Sequence, residues 1–218
     1  MIRNPQNTNL SFYLEDSYRG FPVQTMHGPL IVEYLGILHL TVQRALSEHP
    51  RTFAFRVDLR LPADLEVAPC LGSNILVERF IESFRAKIRH NRSLANRKYG
   101  RAHDTTVRYA WAREVGRSGR PHFHLVILLN NDAFCSVGKM EYGRENIFNR
   151  LQEAWASALG RSVDSVAGLV EIPNSPCYYL RRDDPESVVG FFYRASYLCK
   201  AATKSYGNGC HGFGASRC

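Results

Sequence analysis

No stretch of this chain is apolar for long enough to cross a membrane as a helix. The longest apolar stretch covers residues 30–42, and Glu33 and His39 interrupt it. A helical span needs about 20 consecutive apolar residues, so we expect no membrane as a partner. The first residues also lack the apolar core of a secretory signal, and none is expected.

Closely spaced cysteines are missing as well. The six cysteines are scattered along the chain, and none of them forms a CxxC pair. Disulfide frameworks and structural zinc sites usually place cysteines at short, recurring spacings. We therefore expect reduced thiols and a cytoplasmic setting.

Acidic residues are scarce relative to basic ones. The chain has 28 lysines and arginines against 20 aspartates and glutamates, a net charge of +8, and its isoelectric point is about 9.3. A polyanion is the natural partner of such a surface, although many basic proteins bind none. Charge alone therefore does not decide the function.

The imbalance is strongest between Arg85 and Arg101, where no aspartate or glutamate occurs and where His90 and Tyr99 are interleaved with the basic residues. Grooves for nucleic acids combine cations for phosphates with rings for base stacking. A solvated helix face, the alternative, usually mixes both signs of charge. The stretch is therefore predicted to bind DNA through Arg89, Arg92, Arg97 and Lys98.

Hydrophobic periodicity predicts a chain that alternates helices with strands. Helical spacing occurs over 29–48, 74–96, 145–159 and 185–204. Strand patterns occur over 52–61, 105–115, 121–129 and 166–172. With 44% hydrophobic residues the chain can build one sizeable core. This order predicts an α+β domain with an antiparallel sheet and helices packed on its faces.

The two ends of the chain differ from its middle. Residues 1–28 are polar and rich in turn-forming residues, and we expect an irregular arm. Residues 207–218 form a glycine-rich tail, also expected to be irregular. The single predicted domain therefore covers residues 29–206.

Two histidines in the strand over 121–129 carry the first chemical signal. His122 and His124 are two residues apart, so both point to one face of the strand. Such a pair alone is more often structural than metal-binding. If Val115 pairs with Pro121 around the glycine turn, Glu114 lies opposite His122, with Cβ atoms about 4.5–5.5 Å apart. A slip of one residue would turn Glu114 to the other face, and an ion pair with a nearby arginine is the alternative for it.

Two imidazoles and one carboxylate would leave open positions on a divalent ion. Mixed ligands of this kind suit Mn²⁺ or another transition ion and tolerate Mg²⁺. Open positions allow the ion to polarise a phosphate oxygen. A structural zinc ion would instead require four protein ligands.

The helix predicted over 185–204 carries the second signal. Tyr193, Tyr197 and Lys200 are spaced to share one face, and Lys204, one turn further, is expected to contact DNA. A phenol has an ordinary pKa near about 10, and an adjacent ammonium would help it to attack phosphorus. The alternative is that the tyrosines belong to the core and that Lys200 reaches solvent. Near the histidines, Arg120 is expected either to contact phosphate or to cap the turn.

Three motifs then follow one another in a recognisable order: RVDLRLP at 56–62, GRPHFH at 119–124 and YLCK at 197–200. Together they resemble the HUH rolling-circle replication initiators. More closely, the chain resembles the gene-two-like proteins of filamentous phages (inoviruses), the group that includes the YagK/YfjJ C-terminal domain. Matches at 107–114, 154–155, 196–200 and 213–217 extend this resemblance over roughly residues 30–217.

The resemblance implies a ferredoxin-like palm, known as the HUH palm, over residues 29–206. It implies that His122, His124 and Glu114 hold the metal ion. It also implies that Tyr197 attacks the scissile phosphodiester, which forms a 5′-phosphotyrosyl link and frees a 3′-OH that primes replication. Tyr193 has the spacing of an optional second active tyrosine.

The same resemblance predicts the partners and leaves other functions open. Single-stranded DNA at a replication origin is the expected substrate, in the cytoplasm of a bacterial host cell. Because the sequence contains no Walker A motif, a host or phage helicase and a polymerase are expected to assist. The alternatives are a transposase or relaxase with the same chemistry, a catalytically silent prophage DNA-binding regulator, and an RNA-binding palm.

Overall fold

A computed structural model describes residues 2–65, 71–116, 119–206 and 209–217 of the protein. Its helices are α1 (Val32–Glu48), α2 (Leu71–Tyr99), α3 (Ile147–Leu159) and α4 (Glu186–Ser196). Short 3₁₀ helices cover Asp164–Val166 and Tyr197–Cys199. Its strands are β1 (Ile2–Asn4), β2 (Asn7–Tyr13), β3 (Ser17–Tyr18), β4 (Phe21–Pro22), β5 (Leu30–Ile31), β6 (Arg51–Arg60), β7 (Arg108–Val115), β8 (Pro121–Asn130), β9 (Val170–Glu171), β10 (Cys177–Arg181) and β11 (Phe213–Ala215).

A six-stranded antiparallel sheet forms the centre of the fold. Its strand order is β10-β6-β8-β7-β11, and β9 pairs with the end of β6. The prediction of an α+β fold with an antiparallel sheet is therefore confirmed. Along the chain, β6, α2, β7, β8, α3 and β10 occur in this order and form a β-α-β-β-α-β unit, with β9 inserted between α3 and β10. The finer expectation of a ferredoxin-like palm stays a prediction.

One face of the sheet is covered by α2 and α3. Large apolar side chains point to this face, among them Phe55, Phe123 and Ile127, and they pack against Phe80 of α2 and Trp155 of α3. The indole of Trp155 also donates a hydrogen bond of 2.9 Å to the carbonyl of Arg60. This layer is the larger of the two hydrophobic cores.

The other face is covered by α1 and α4 over only part of its length. The sheet presents small side chains to these helices, including Ala54, Ala110 and Ala112, all fully buried. Small residues allow a helix to approach a sheet closely. At Ala112 the same face becomes polar, because His124 on β8 lies opposite Ala112 and His122 lies opposite Glu114, the next residue of β7 on this face. The polar end of this face is where the candidate site lies.

The N-terminal residues are ordered into strands, so the prediction of an irregular arm over 1–28 is wrong. β1, β2 and β5 form a small antiparallel sheet, and β3 pairs with β4. These strands are short, and β2 buries only Leu10 and Ser11 among mostly polar neighbours. A strand that buries so few apolar side chains gives only a weak alternating pattern.

Several boundaries in the second half of the chain also differ from prediction. The helix expected over 185–204 ends at Ser196, where a 3₁₀ turn takes over. The strand expected over 166–172 is reduced to β9, since Asp164–Val166 is helical. The tail expected to be irregular contains β11, which pairs with β7.

Candidate active site

The pairing of β7 with β8 is the predicted one. Val115 lies opposite Pro121, and Glu114 lies opposite His122. On the other side of β8, β6 places Asp58 opposite His124. Three neighbouring strands therefore bring two imidazoles and two carboxylates to the polar end of the sheet face.

Glu114, His122 and His124 form a group that could hold a metal ion, with one ligand atom from each within 4.8 Å of the others. The Nε2 atoms of His124 and His122 lie 3.6 Å and 4.0 Å from Glu114 Oε2. Two atoms bound about 2.0–2.2 Å from one ion are separated by at most about 4.4 Å. The three side chains thus need only small rotations to share an ion.

Asp58 fixes the orientation of His124. Its Oδ1 atom lies 2.8 Å from His124 Nδ1. Arg56 donates hydrogen bonds of 3.1 Å and 3.2 Å to the two carboxylate oxygens of Asp58. The Asp58 carboxylate at Nδ1 favours a proton on that nitrogen, and a bound metal ion would take the place of the proton on Nε2, which lies towards Glu114. A carboxylate behind a histidine ligand is the usual support of a metal site.

The titration behaviour of the two histidines differs. Burial lowers the pKa of His122, and the neighbouring charge of His124 lowers it further. Burial also acts to lower the pKa of His124, but hydrogen bonds to Asp58 and Glu114 outweigh it and raise that pKa. For Asp58, burial would raise the pKa, yet the bond from His124 and the charge of Arg56 hold it below its ordinary value.

Glu114 is surrounded by donors although its side chain is buried. Lys200 Nζ lies 2.9 Å from Oε2, and Lys204 Nζ lies 3.3 Å from Oε1. Thr203 Oγ1 donates a hydrogen bond of 2.8 Å to Oε2. Burial would raise the pKa of Glu114, but the hydrogen bond from His124 and the charge of Lys204 hold it well below its usual range. The carboxylate is therefore ionised, as a metal ligand must be.

Lys204 was expected to contact DNA, and its position contradicts that expectation. Its side chain is 0% exposed and lies against Glu114. Burial lowers the pKa of its ammonium, while the carboxylate of Glu114 opposes the shift. Lys204 is an internal partner of the acid, so it cannot reach a nucleic acid on the surface.

Tyr197 and Lys200 lie beside the group. Tyr197 begins the 3₁₀ turn after α4, and Lys200 Nζ donates a hydrogen bond to its phenol oxygen. The Tyr197 ring meets the His124 ring edge-on, with centroids 5.4 Å apart. The guanidinium of Arg56 lies over the same ring, 4.9 Å from its centroid. Lys200 therefore contacts both the Tyr197 phenol oxygen and Glu114, and the Tyr197 ring contacts His124.

Comparison with known proteins gives the family. A sequence profile of the YagK/YfjJ C-terminal domain matches residues 15–216. The chain belongs to the YagK/YfjJ C-terminal domain family. It is 32% identical over 187 residues to the uncharacterized protein YfjJ of Escherichia coli (strain K12), covering 81% of this chain and 89% of that one. It is 30% identical over 202 residues to the uncharacterized protein YagK of the same strain, covering 89% of this chain and 97% of that one. No solved structure matches.

In this YagK/YfjJ domain Tyr193 does not lie beside Tyr197 at the histidines, as was predicted for it. The prediction that Tyr193, Tyr197 and Lys200 share one face assumed a helix that continues past Ser196. Tyr193 is 41% exposed, and its backbone carbonyl accepts hydrogen bonds from Gln24 Nε2 and Ser196 Oγ. Among the described residues, the tyrosine whose ring meets His124 is Tyr197.

The basic residues of α2 lie away from the histidines, because α2 covers the opposite face of the sheet. Arg89, Arg97 and Lys98 are exposed there. Arg92 lies over the ring of Phe134, 4.4 Å from its centroid. These residues stay predicted DNA contacts, on a surface separate from the metal group. Among the described residues, no helix has the length and apolar character needed to cross a membrane.

Arg120 braces a loop in the structure. Its guanidinium donates hydrogen bonds to the carbonyls of Pro62 and Leu65. These bonds tie Arg120 to the loop after β6 and not to the turn between β7 and β8 that it was expected to cap. A contact with phosphate stays a prediction.

Sequence reasoning missed Arg56 and Asp58 as site residues. Their signal was the alternation in β6, where Arg56, Asp58 and Arg60 interrupt an otherwise apolar strand on one face. Polar residues at alternate positions are also the pattern of an antiparallel strand with one solvated face, so the alternation alone did not distinguish a site from a surface. The sequence did not show which strand pairs with β6.

Proposed function

We propose that this protein is a metal-dependent endonuclease and ligase for single-stranded DNA, of the HUH type. The observation that carries the proposal is the contact of Tyr197 with both His124 and Lys200. In the proposal Tyr197 is the nucleophile, and it lies beside three residues that could hold a divalent ion. The β-α-β-β-α-β order of the central elements supports a ferredoxin-like palm for this site.

In the proposed reaction the Tyr197 phenol oxygen attacks the phosphorus of a phosphodiester. The phenol loses its proton to solvent, a bond forms between that oxygen and phosphorus, and the bond from phosphorus to the 3′ oxygen breaks. The 3′ oxygen leaves as a hydroxyl after taking up a proton, and the 5′ end stays linked to Tyr197. The reverse attack by a 3′-OH rejoins the strand.

The chain's own residues have distinct tasks in this scheme. The ammonium of Lys200 stabilises negative charge on the phenol oxygen. Glu114, His122 and His124 would hold the ion, for which Mn²⁺ or Mg²⁺ is proposed, and the ion would supply Lewis-acid polarisation of a phosphate oxygen. Asp58 keeps His124 in its ligand tautomer. The exposed cations of α2 would bind the sugar-phosphate backbone.

The biological setting is proposed from the same chemistry. Nicking that leaves a 3′-OH primes synthesis, so we place the protein at a replication origin of a phage or prophage in the cytoplasm of a bacterial host. A helicase and a polymerase from the host or the phage would extend the nicked strand.

The test is covalent capture of DNA. Labelled single-stranded origin DNA is incubated with the protein and Mn²⁺ or Mg²⁺, and the adduct is resolved under denaturing conditions. We expect wild type and Tyr193→Phe to form the adduct and Tyr197→Phe to form none. Replacing His122 and His124 together by alanine should also abolish it. A wild-type protein that binds DNA without ever forming an adduct would instead be a catalytically silent regulator.

A further inference from the structure

The N-terminal segment between β4 and α1 runs along the turn that carries Tyr197. Before this turn, the backbone N–H of Gln24 donates a hydrogen bond of 2.9 Å to Ser196 Oγ. The Gln24 side chain donates a second, of 3.0 Å, to the carbonyl of Tyr193. One end of the segment is thereby tied to the last turn of α4.

The other end of the segment is tied to the residues after the turn. The backbone N–H of Ala201 donates a hydrogen bond of 2.8 Å to the carbonyl of Pro29. Leu30 forms a β-bridge with Lys200. The segment therefore holds the chain on both sides of Tyr197, which lies between the two tied points.

His27 lies in the middle of this segment and contacts the tyrosine itself. Its ring meets the Tyr197 ring edge-on, with centroids 5.2 Å apart and an angle of 88° between the ring planes. On other sides the ring of Tyr197 meets His124 and lies beneath the guanidinium of Arg56. His27 is exposed, so it closes the solvent side of a ring that other side chains already border.

We infer that His27 is a positioning residue for Tyr197, and that the segment from Gln24 to Leu30 is part of the active site. This inference rests on the proposed function of Tyr197 as the nucleophile. An aromatic pair with edge-to-face geometry limits how far either ring can tilt. The phenol oxygen is thereby kept beside Lys200 and the metal group, where attack on a phosphate requires it.

The experiment compares single-turnover rates of adduct formation in the full-length protein. His27→Ala removes the ring, and we expect adduct formation to slow by about 3–10-fold, the worth of one such aromatic pair. His27→Phe keeps a ring at the same place and should restore most of the rate. Affinity for the DNA strand, measured by fluorescence anisotropy, should change little. Met26→Ala, at a neighbouring side chain that is 76% exposed, is the control for disturbance of the segment.

A second measurement follows the contact without any DNA. With 3-fluorotyrosine in place of tyrosine, the ¹⁹F resonance of Tyr197 is assigned from its absence in Tyr197→Phe. His27→Ala should move that resonance, whereas Met26→Ala should leave it nearly in place.

The outcomes separate the two proposals. If the wild-type protein forms the adduct and His27→Ala forms it equally fast, the role of His27 is refuted and the proposed function stands. If His27→Phe is as slow as His27→Ala, packing of a ring is not what His27 contributes. If the ¹⁹F resonance of Tyr197 did not move in His27→Ala, the contact between His27 and Tyr197 would also be refuted. If the wild type forms no adduct, the proposed function itself fails.

Discussion

Asp58 Oδ1 lies 2.8 Å from His124 Nδ1, on a strand that the histidine motif itself does not include. This contact favours a proton on the Nδ1 atom of His124. It leaves Nε2, 3.6 Å from Glu114, as the atom available to a metal ion. The acid in β6 therefore belongs to the site as much as the residues of the β7–β8 pair.

Replacing Asp58 by asparagine should weaken metal binding. An asparagine of the same size can still accept a hydrogen bond, but it no longer stabilises the histidine with a negative charge. We expect the affinity for Mn²⁺ to fall by about 10–100-fold, as for other carboxylates behind a histidine ligand. Isothermal titration calorimetry measures this directly. Asp64→Asn, at an exposed acid paired with Arg161, should leave the affinity unchanged, and an unchanged affinity in Asp58→Asn would contradict the role given to Asp58.

Replacing Glu114 by glutamine should destabilise the fold strongly. The variant leaves the ammonium of Lys204 buried without a charged partner, which typically costs about 3–5 kcal/mol in the free energy of unfolding. Urea denaturation in EDTA measures the loss. Glu153→Gln, in an exposed pair with Lys87, should cost less than about 1 kcal/mol. Adding Lys204→Met to Glu114→Gln should recover much of the stability, and no recovery would show that the pair is not the cause.

Acid should destabilise the metal-free protein through its buried carboxylates. In the folded state the pKa values of Asp58 and Glu114 are held below their ordinary values. Their contribution to stability is therefore complete above the unfolded pKa values of about 3.9–4.3 and is lost as the pH falls below them. Urea unfolding in EDTA over this range should show a steep loss for wild type. Asp58→Asn should show a shallower one, and parallel curves would contradict the assignment.

Exposed cations on α2 should control the salt dependence of DNA binding. Arg97→Ala combined with Lys98→Ala should weaken binding to all sequences alike. It should also reduce the slope of log affinity against log salt by about 1 for each phosphate that the protein no longer neutralises. Lys204→Met removes the same kind of charge from the interior and should leave the slope unchanged. If only Lys204→Met changed the slope, the DNA surface would have to be sought elsewhere.

Gly214 on β11 should tolerate no larger residue. It pairs with Trp111, and an added Cβ would lie 2.6 Å from the indole ring. Gly214→Ala should therefore lower the free energy of unfolding by about 1–3 kcal/mol. Gly190→Ala, inside α4 where the nearest atom would be 3.8 Å away, should instead raise it by about 0.5–1 kcal/mol. Thermal unfolding of the two variants makes the comparison.

The pairing of Glu114 with His122 could be predicted because it is local. A short turn between two strands allows few registers, and the need to bury one face selects among them. The neighbour of β8 on its other side could not be predicted in the same way, since the order of strands in a sheet depends on contacts distant in sequence. Asp58 lies 66 positions before His124, and it stayed outside the predicted site for that reason.

The errors at Tyr193 and Lys204 have different physical causes. Helical spacing was extended through Tyr197, but the helix ends at Ser196 and the turn after it changes which residues share a face. Lys204 was expected at the surface because lysine is almost never fully buried unless it is paired. Its partner Glu114 is 90 positions away, and a local sequence pattern cannot show so distant a partner.

The order of the site residues along the chain also determines when each of them is made during translation. A growing polypeptide that has reached Asn130, the end of β8, contains Asp58, Glu114 and both histidines, but it lacks Tyr197. Because ribosomes build proteins from the N-terminus, the group that could bind a metal ion is made well before the group that would attack DNA. An interrupted translation product of this length would therefore carry no means of breaking a DNA strand through Tyr197.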